Sequence, residues 1–490
     1  MNLSKSKYCL GFQCLKLLWL KKNKPDEEEV IDKSSVFENG NQVGELAKGL
    51  FGEYINIEYG NLSKMISDTQ DAISKNDVCN ICEASFDYNN NFCSVDILKK
   101  NKDNYEIYEV KSSTHVNDIY YDDASYQYYV LTKLGYKVKK VCIVYLNSGY
   151  YRKGELEIDK LFSIEDVTDT CISKLDFVES KIKEINKICD SDKEPEDMVS
   201  TNCFEPYSCP FFKYCTKDLP SPNVFNISGL WKSKMIDFYK DGKTSFKDLI
   251  NENLSDNYLE QINFEVNDLP DKIEIDEIKS FLSTLSYPLY FLDFETYQQT
   301  IPLYDGINPY QQIPFQYSLH YIEKFGGELK HSEFLAEASV DPRRGIAEAL
   351  VKDIPLNVCT LAYNMSFERG VIARLADLYP DLSEHLLNIR ENIKDLEIPF
   401  AKRNYYNKLM KGKSSIKYVL PALFPDDPDL DYHNLEGVHN GSEAMNAFAN
   451  LDKLSKEEQE TVRNNLLKYC GLDTYAMVKI YYKLLEVVGE

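Results

Sequence analysis

The sequence predicts an α/β chain built from more than one domain, and three observations lead there. The chain has 490 residues, more than one hydrophobic core usually organises. Residues 91–146 run strand, strand, helix, strand by their apolar periodicity. After Pro288 a buried strand, LYFLDFET, opens a second stretch of alternating strand and helix patterns that continues to the end.

Residues 1–24 hold six lysines and no acid, with Leu15, Leu17, Leu18 and Leu20 among them, the pattern of a basic amphipathic helix. Residues 91–97 and 104–111 are expected as strands joined by a polar turn, KKNKDN. Residues 118–134 are expected as a helix and 137–146, KVKKVCIVYL, as a further strand. Residues 155–200 are acidic and helical in pattern, with DSDKEPED (190–197) as an exposed linker. The resulting map has a first domain over 1–219, a helical linker region over 220–284 and a last domain over 285–490.

The formal net charge is −23, from 79 acidic and 56 basic residues. That excludes a passive nucleic-acid coat, because phosphate binding needs positive charge. It leaves room for carboxylate chemistry beside a local basic track. No apolar run is long enough to span a bilayer. Gln13 and Lys16 interrupt the apolar segment from Leu10 to Leu20, so no secretory signal is expected. The 13 cysteines then point to a reducing cytoplasm, where clustered thiols mean metal more often than disulfide.

The first chemical signal is CSVDILKKNKDNYEIYEVKSST. Glu109 and Lys111 stand two apart on a strand and so share a face. Hairpin pairing can bring Asp96 beside them. Carboxylates can hold Mg²⁺ or Mn²⁺ through oxygen, the ion polarises a phosphate and acidifies a bound water, and the lysine steadies the charge that develops. Glu83 could supply a further carboxylate, and Gln127, on the next helix, could position water or substrate. An E-x-K alone is usually a surface charge pair. The added Asp96 and Gln127 make it more specific.

This pattern resembles the PD-(D/E)xK nuclease superfamily, in particular RecB-like exonucleases, over roughly residues 1–217. The resemblance implies a restriction-endonuclease-like domain in which Asp96 and Glu109 are metal ligands, Lys111 is catalytic and Gln127 is the glutamine typical of that branch. Relatives often carry a metal-binding histidine four residues after a glycine on an early helix. Counted from Gly40, that position here is Gly44, and Glu83 is the substitute.

Cys203, Cys209 and Cys215 lie in CFEPYSCPFFKYC. Three thiols so close can bind one metal centre but need a fourth ligand. RecB-like nucleases with an iron–sulfur cluster use one N-terminal cysteine plus three after the nuclease core. By that resemblance Cys14 is the fourth ligand of a 4Fe–4S cluster. Cys9 is a rival for its place, and zinc for the iron. Cys79 and Cys82 form a C-x-x-C that runs into an apolar segment and is expected to be core packing.

The second signal is three short motifs in order: FLDFET with Asp293 and Glu295, AYNMSFERGVI with Asn364 and Glu368, and YCGLDTYAM with Tyr469 and Asp473. Asp293 and Glu295 share a strand face, and Tyr469 and Asp473 lie one helical turn apart. Four such carboxylates can hold two divalent ions roughly 4 Å apart, with Tyr469 aiming the attacking water. Together the motifs resemble the DnaQ-like DEDD exonucleases, in the tyrosine-bearing branch, over about residues 285–488. The resemblance implies a ribonuclease-H-like domain with these four acids as metal ligands. Glu368 stands where most members have Asp. His439 lies too far before Asp473 for the histidine-bearing branch and is expected to be solvated or structural.

Residues 398–425 hold six basic side chains and no acid: Lys402, Arg403, Lys408, Lys411, Lys413 and Lys417. Tyr405, Tyr406 and Tyr418 are interleaved. Together with Asn364 these are candidate contacts for a DNA or RNA strand, with a solvated loop as the plainer alternative. GKS at 412–414 lacks the earlier glycine of a phosphate loop. The expected function is a dual-site, metal-dependent nuclease that hydrolyses phosphodiesters in DNA or RNA. The alternatives are a nucleic-acid-binding or scaffolding protein with degenerate sites and a phosphatase acting on small nucleotides.

Overall fold

In the computed structural model the described residues are 3–30, 34–75 and 79–490, and of residues 34–37 only the backbone is described. The chain is mixed α/β and divides into two compact units. One is Met1–Leu219 with Gln299–Gln311, the other Pro220–Gln298 with Gln312–Glu490. No helix among the described residues is long and apolar enough to cross a membrane.

The first unit is built on one mixed sheet. Its strands are β1 (Leu3–Ser4), β2 (Ile55–Asn56), β3 (Asn80–Tyr88), β4 (Asn91–Asn101), β5 (Asn104–Lys111), β6 (Lys137–Leu146) and β7 (Phe162–Asp166). The order is β2-β3-β4-β5-β6-β7, with β1 also on β4. β4 and β5 form a hairpin, while β5 and β6 are parallel and joined through helix α3 (Asp118–Lys133), as a crossover connection requires. Leu3 pairs with Asn91 on β4, along the stretch that β5, paired from Ile97 onward, leaves open.

Side chains alternate between two cores. Ile107, Val141 and Ile143 face the core under α3, and Tyr108, Cys142 and Val144 face the other side. The alternation slips once. Ile81 and Leu98 face the first core, and so do Ala84 and Val95. Both strands therefore change face at the intervening row, where Glu83 adopts a φ of 58°. A left-handed residue inside a strand costs about 1–2 kcal/mol, and such positions concentrate at functional sites.

The basic N-terminal segment forms two helices rather than one, α1 (Lys5–Gln13) and α2 (Leu15–Asn23), with Cys14 extended at φ −163° between them. Met1 and Asn2 lie outside the described residues. Strand β7 interrupts the 155–200 stretch expected as helical, before the amphipathic helix α4 (Leu175–Cys189). The acidic stretch 190–197 is tied down: Glu194 accepts from Lys16 and Lys24, each at 3.0 Å.

The stretch 220–284, expected as a linker, belongs to the second unit. Val224, Met235, Phe238, Leu249 and Ile262 give it a core of its own, and its β8 (Lys272–Ile273) pairs with β14 (Tyr405–Tyr406). Residues 299–311, expected in the last domain, pack instead within the first unit, where Arg152 Nη1 donates to Pro302 O at 2.9 Å. The main sheet of the second unit has β9 (Leu289–Gln298), β10 (Gln312–Ile322), β11 (Leu329–Leu335), β12 (Cys359–Ala362) and β13 (Ile393–Asp395), in the order β11-β10-β9-β12-β13. β9 is central, antiparallel to β10 and parallel to β12. Helices α5 (Ser366–Leu378), α6 (Ile416–Leu423) and α7 (Lys456–Val488) complete the parts that bear on the site.

Candidate metal centres and a cysteine group

In the first unit, Glu83, Asp96 and Glu109 occupy one row across three adjacent strands. Glu83 sits between the pairs Cys82–Ile97 and Ala84–Val95, opposite Asp96. The next position along β4 and β5 after Ile97–Tyr108 is Asp96 and Glu109. There the Val110 N–H donates to Asp96 Oδ2 at 2.7 Å. Lys111 Nζ lies 2.8 Å from Glu109 Oε1, as two residues on one strand face should. Gln127 Nε2 donates to Glu109 Oε2 at 2.5 Å, and its own Oε1 is buried without a hydrogen bond.

Two further side chains join this site. Asp123 lies one helical turn before Gln127 on α3, and its Oδ2 accepts from Lys111. Lys5, the first residue of α1, reaches Glu109 Oε1 at 2.7 Å and Asp123 Oδ1 at 3.6 Å. Burial opposes the charge on Glu109, yet Lys111 and Lys5 outweigh it and hold the carboxyl well below its usual range. Asp96 makes no ion pair with either lysine, and their pull on it is outweighed. Burial and then repulsion from Glu109 push it up to about 8. Burial also raises Glu83, with Lys48 and Lys5 working the other way.

All the cysteines are free thiols. The N–H of Cys209 donates to the Cys203 carbonyl at 2.9 Å. Gln13 Nε2 ties α1 to the same loop, donating to Asn202 O at 2.8 Å and Tyr207 O at 2.7 Å. Burial pushes the Cys209 thiol up to about 12, and Cys203, Cys14 and Cys215 add to that rise. Those three therefore lie in electrostatic reach of it. Cys9 has a different neighbourhood: after burial, its surroundings are Asp123, Lys111, Lys5 and Glu109. Of the two rivals, Cys14 is the one that contributes to the rise of the Cys209 thiol. Cys82 is buried and Cys79 exposed.

In the second unit, Leu289 and Phe291 of β9 face the core under α7 while Tyr290, Leu292 and Phe294 face the opposite one. Asp293 and Glu295 continue the first row. The ligand atoms of Asp293, Glu295 and Asp473 all lie within 4.8 Å of one another. Burial raises Asp293 well above its usual range, followed by repulsion from Asp473, Glu295 and Glu368. Burial pushes Asp473 up to about 7, against the pull of Tyr432 and Lys417. Glu368, in the first turn of α5, is pushed up to about 8 by burial, and its Oε2 has no hydrogen-bond partner. Tyr469, one turn before Asp473, is buried. Buried carboxylates with little cationic compensation and an orphaned oxygen could hold a metal ion.

Beside them lies a pocket of about 650 Å³, lined by Lys417, Phe424, Tyr432, His439, Tyr469 and Asp473 among others. His439 is hydrogen-bonded to Glu443 at 2.9 Å, so it is partnered and also borders the site. Asn364 is exposed at φ 66°, and its N–H donates to Asp395 Oδ1 at 3.0 Å.

The basic stretch is not the continuous track its composition suggests. Arg403 is 8% exposed, lies 3.1 Å from Glu260 and covers the Tyr406 ring. Tyr405 and Tyr406 are core residues of the β14–β8 pair, so neither offers a face for stacking. Lys408 pairs with Asp268, and Lys413 donates to Tyr418 Oη at 2.7 Å. Lys402 and Lys411 are exposed. Lys417 alone of the six borders the carboxylates, lowering the pKa of Glu295 and Asp473.

Sequence reasoning missed Lys5, Asp123 and Tyr432. Asp123 had a signal, since it stands four residues before Gln127 and shares its helix face. Lys5 and Tyr432 had none, because each reaches its site by tertiary packing alone.

Residues 290–415, about a quarter of the chain, match a protein family described as a domain of unknown function, DUF2779. No curated protein and no solved structure matches.

Proposed function

We propose that the chain is a metal-dependent nuclease with two separate active sites, one in each unit. The observation that carries this reading is the trio Asp293, Glu295 and Asp473, with ligand atoms mutually within 4.8 Å, next to Tyr469 and the orphaned Glu368 Oε2. Mg²⁺ or Mn²⁺ held there would activate water and stabilise the leaving oxygen of a phosphodiester. Tyr469 is set one turn from Asp473 to aim that water. The central strand carrying the D-x-E pair supports a ribonuclease-H-like domain.

For the first unit, the row Glu83–Asp96–Glu109 with Lys111 and Gln127 supports a restriction-endonuclease-like, RecB-like site. Cys14, Cys203, Cys209 and Cys215 are the ligand set for a 4Fe–4S cluster joining the N-terminal helices to the Cys203–Cys215 loop. Free thiols suit the reducing cytoplasm. DNA or RNA is the polymer substrate, and Lys417 is the exposed basic side chain best placed to meet it.

The test is digestion of labelled single- and double-stranded DNA and RNA with Mn²⁺ or EDTA, using the wild type, Lys111→Ala and Asp293→Ala. Each variant should lose one activity and keep the other. Binding without any cleavage would favour a nucleic-acid-binding protein with degenerate sites. Loss of every activity in both variants would overturn the two-site reading.

A further inference from the structure

Lys5 comes from a segment whose pattern is that of a basic amphipathic helix, and its ammonium lies inside the first unit's carboxylate site. Its position is built from several contacts. Leu3 and Ser4 pair with Asn91 and Phe92 of β4. Tyr126 Oη donates to Leu3 O at 2.7 Å. Tyr8, fully buried, stacks on Tyr126 with ring centroids 4.7 Å apart. Ser4 caps α1 by accepting the Lys7 N–H at 3.3 Å. Together these aim the Lys5 side chain along the sheet toward β5.

At its end two ammoniums and two carboxylates alternate. Lys5 and Lys111 both lie on Glu109 Oε1, at 2.7 and 2.8 Å. Each also bridges to Asp123, Lys5 at its Oδ1 and Lys111 at its Oδ2. The Glu109 side chain is 2% exposed and that of Asp123 9%. Asp96, across the sheet row, is outside this ring, and its Oδ2 accepts the Val110 N–H at 2.7 Å.

We propose that Lys5 is a built-in second cation of this site. Its ammonium bridges Glu109 and Asp123 and does there what a second divalent ion would do, so the site takes one divalent ion on Asp96 and Glu109. Four acids, Glu83, Asp96, Glu109 and Asp123, face two lysines. One divalent ion neutralises that excess of two negative charges. Without Lys5 the excess is three, and a second ion is needed to overcome it. Lys5 acts through Glu109 and Asp123 and is thus a positioning residue. Arg, whose planar fork also carries a fixed charge, should substitute in part.

This inference rests on the first unit's site being a metal site. The experiment counts bound Mn²⁺ by electron paramagnetic resonance in the full chain carrying Asp293→Ala and Asp473→Ala, so that only the first unit's site is scored. The parent should bind one Mn²⁺. Lys5→Met should bind two, and its cleavage should rise more steeply with Mn²⁺ concentration. At low Mn²⁺ that cleavage should be at least about tenfold weaker, the scale of one charge-assisted hydrogen bond. Lys5→Arg should keep the count at one. If Lys5→Met does not fold, as judged by melting, Lys5→Gln carries the same expectations. A parent that binds one ion and a Lys5→Met variant with the same count and affinity would overturn the inference alone. A parent that binds none would overturn the metal-site reading with it.

Discussion

Tyr432 Oη donates a 2.6 Å hydrogen bond to Asp473 Oδ1, and the Tyr432 and Tyr469 rings lie 6.0 Å apart. Tyr432, at the start of a short 3-10 turn, thus holds the helix carboxylate that completes the acidic trio. The bond favours the charged form of Asp473, while burial disfavours it. Tyr432→Phe should raise the Asp473 pKa further and move the pH at which Mn²⁺ binds upward. At neutral pH affinity should fall about tenfold, the scale of a hydrogen bond to a charged group. Calorimetric Mn²⁺ titration from pH 6 to 9 checks it (a range of about three units, centred near the histidine-to-thiol region). An unmoved profile would falsify the positioning role.

The metal-free protein should lose stability as pH rises. Asp473 is pushed up to about 7 from 3.8 and Glu368 to about 8 from 4.5. Between the ordinary and raised values the folded state binds more protons than the unfolded state, so stability falls with rising pH in that window. The contribution is fully present below the ordinary values and gone above the raised ones. Melting in EDTA should therefore drop by a few degrees, in order of magnitude, between mildly acidic and mildly alkaline buffer. Mn²⁺ should reverse the drop, and Asp473→Asn should flatten it.

Cysteine substitutions should sort the ligands. Anaerobically purified protein should be brown and contain iron, and Cys14→Ala and Cys209→Ala should lose both. Cys9→Ala should keep the iron, since the groups acting on Cys9 are Asp123, Lys111, Lys5 and Glu109, with no thiol among them. Iron and zinc analysis of the three variants decides the matter. Stoichiometric zinc in a colourless protein would sink the iron assignment.

Arg403 and Lys417 should part company. Arg403→Ala should lower stability by on the order of 2 kcal/mol, because it strips a partner from Glu260 and a cation from the Tyr406 face. Lys417→Ala should leave melting nearly unchanged and weaken strand binding at the second site. Denaturant melts and fluorescence anisotropy on both variants separate the roles, and equal binding losses would contradict the assignment.

What the sequence by itself determined was local. The i, i+2 spacing of Asp293 with Glu295 and of Glu109 with Lys111 sets each pair on one strand face. The four-residue spacing of Tyr469 and Asp473 sets them on one helix face. Strand β6 lies where periodicity put it, at 137–146. Helix α3 at 118–133 ends one residue before its expected limit. Periodicity does not reveal which distant side chains meet. Tertiary structure decided that Lys5 enters a carboxylate site. It also decided that Tyr432 bonds Asp473 and that Arg403 is a structural cation. It assigned residues 220–284 a packed core and drew 299–311 into the first unit. The reason is physical: a strand or helix repeats at fixed intervals and shows itself in spacing, whereas a contact between remote segments depends on how buried faces dock, and docking leaves no period in the chain.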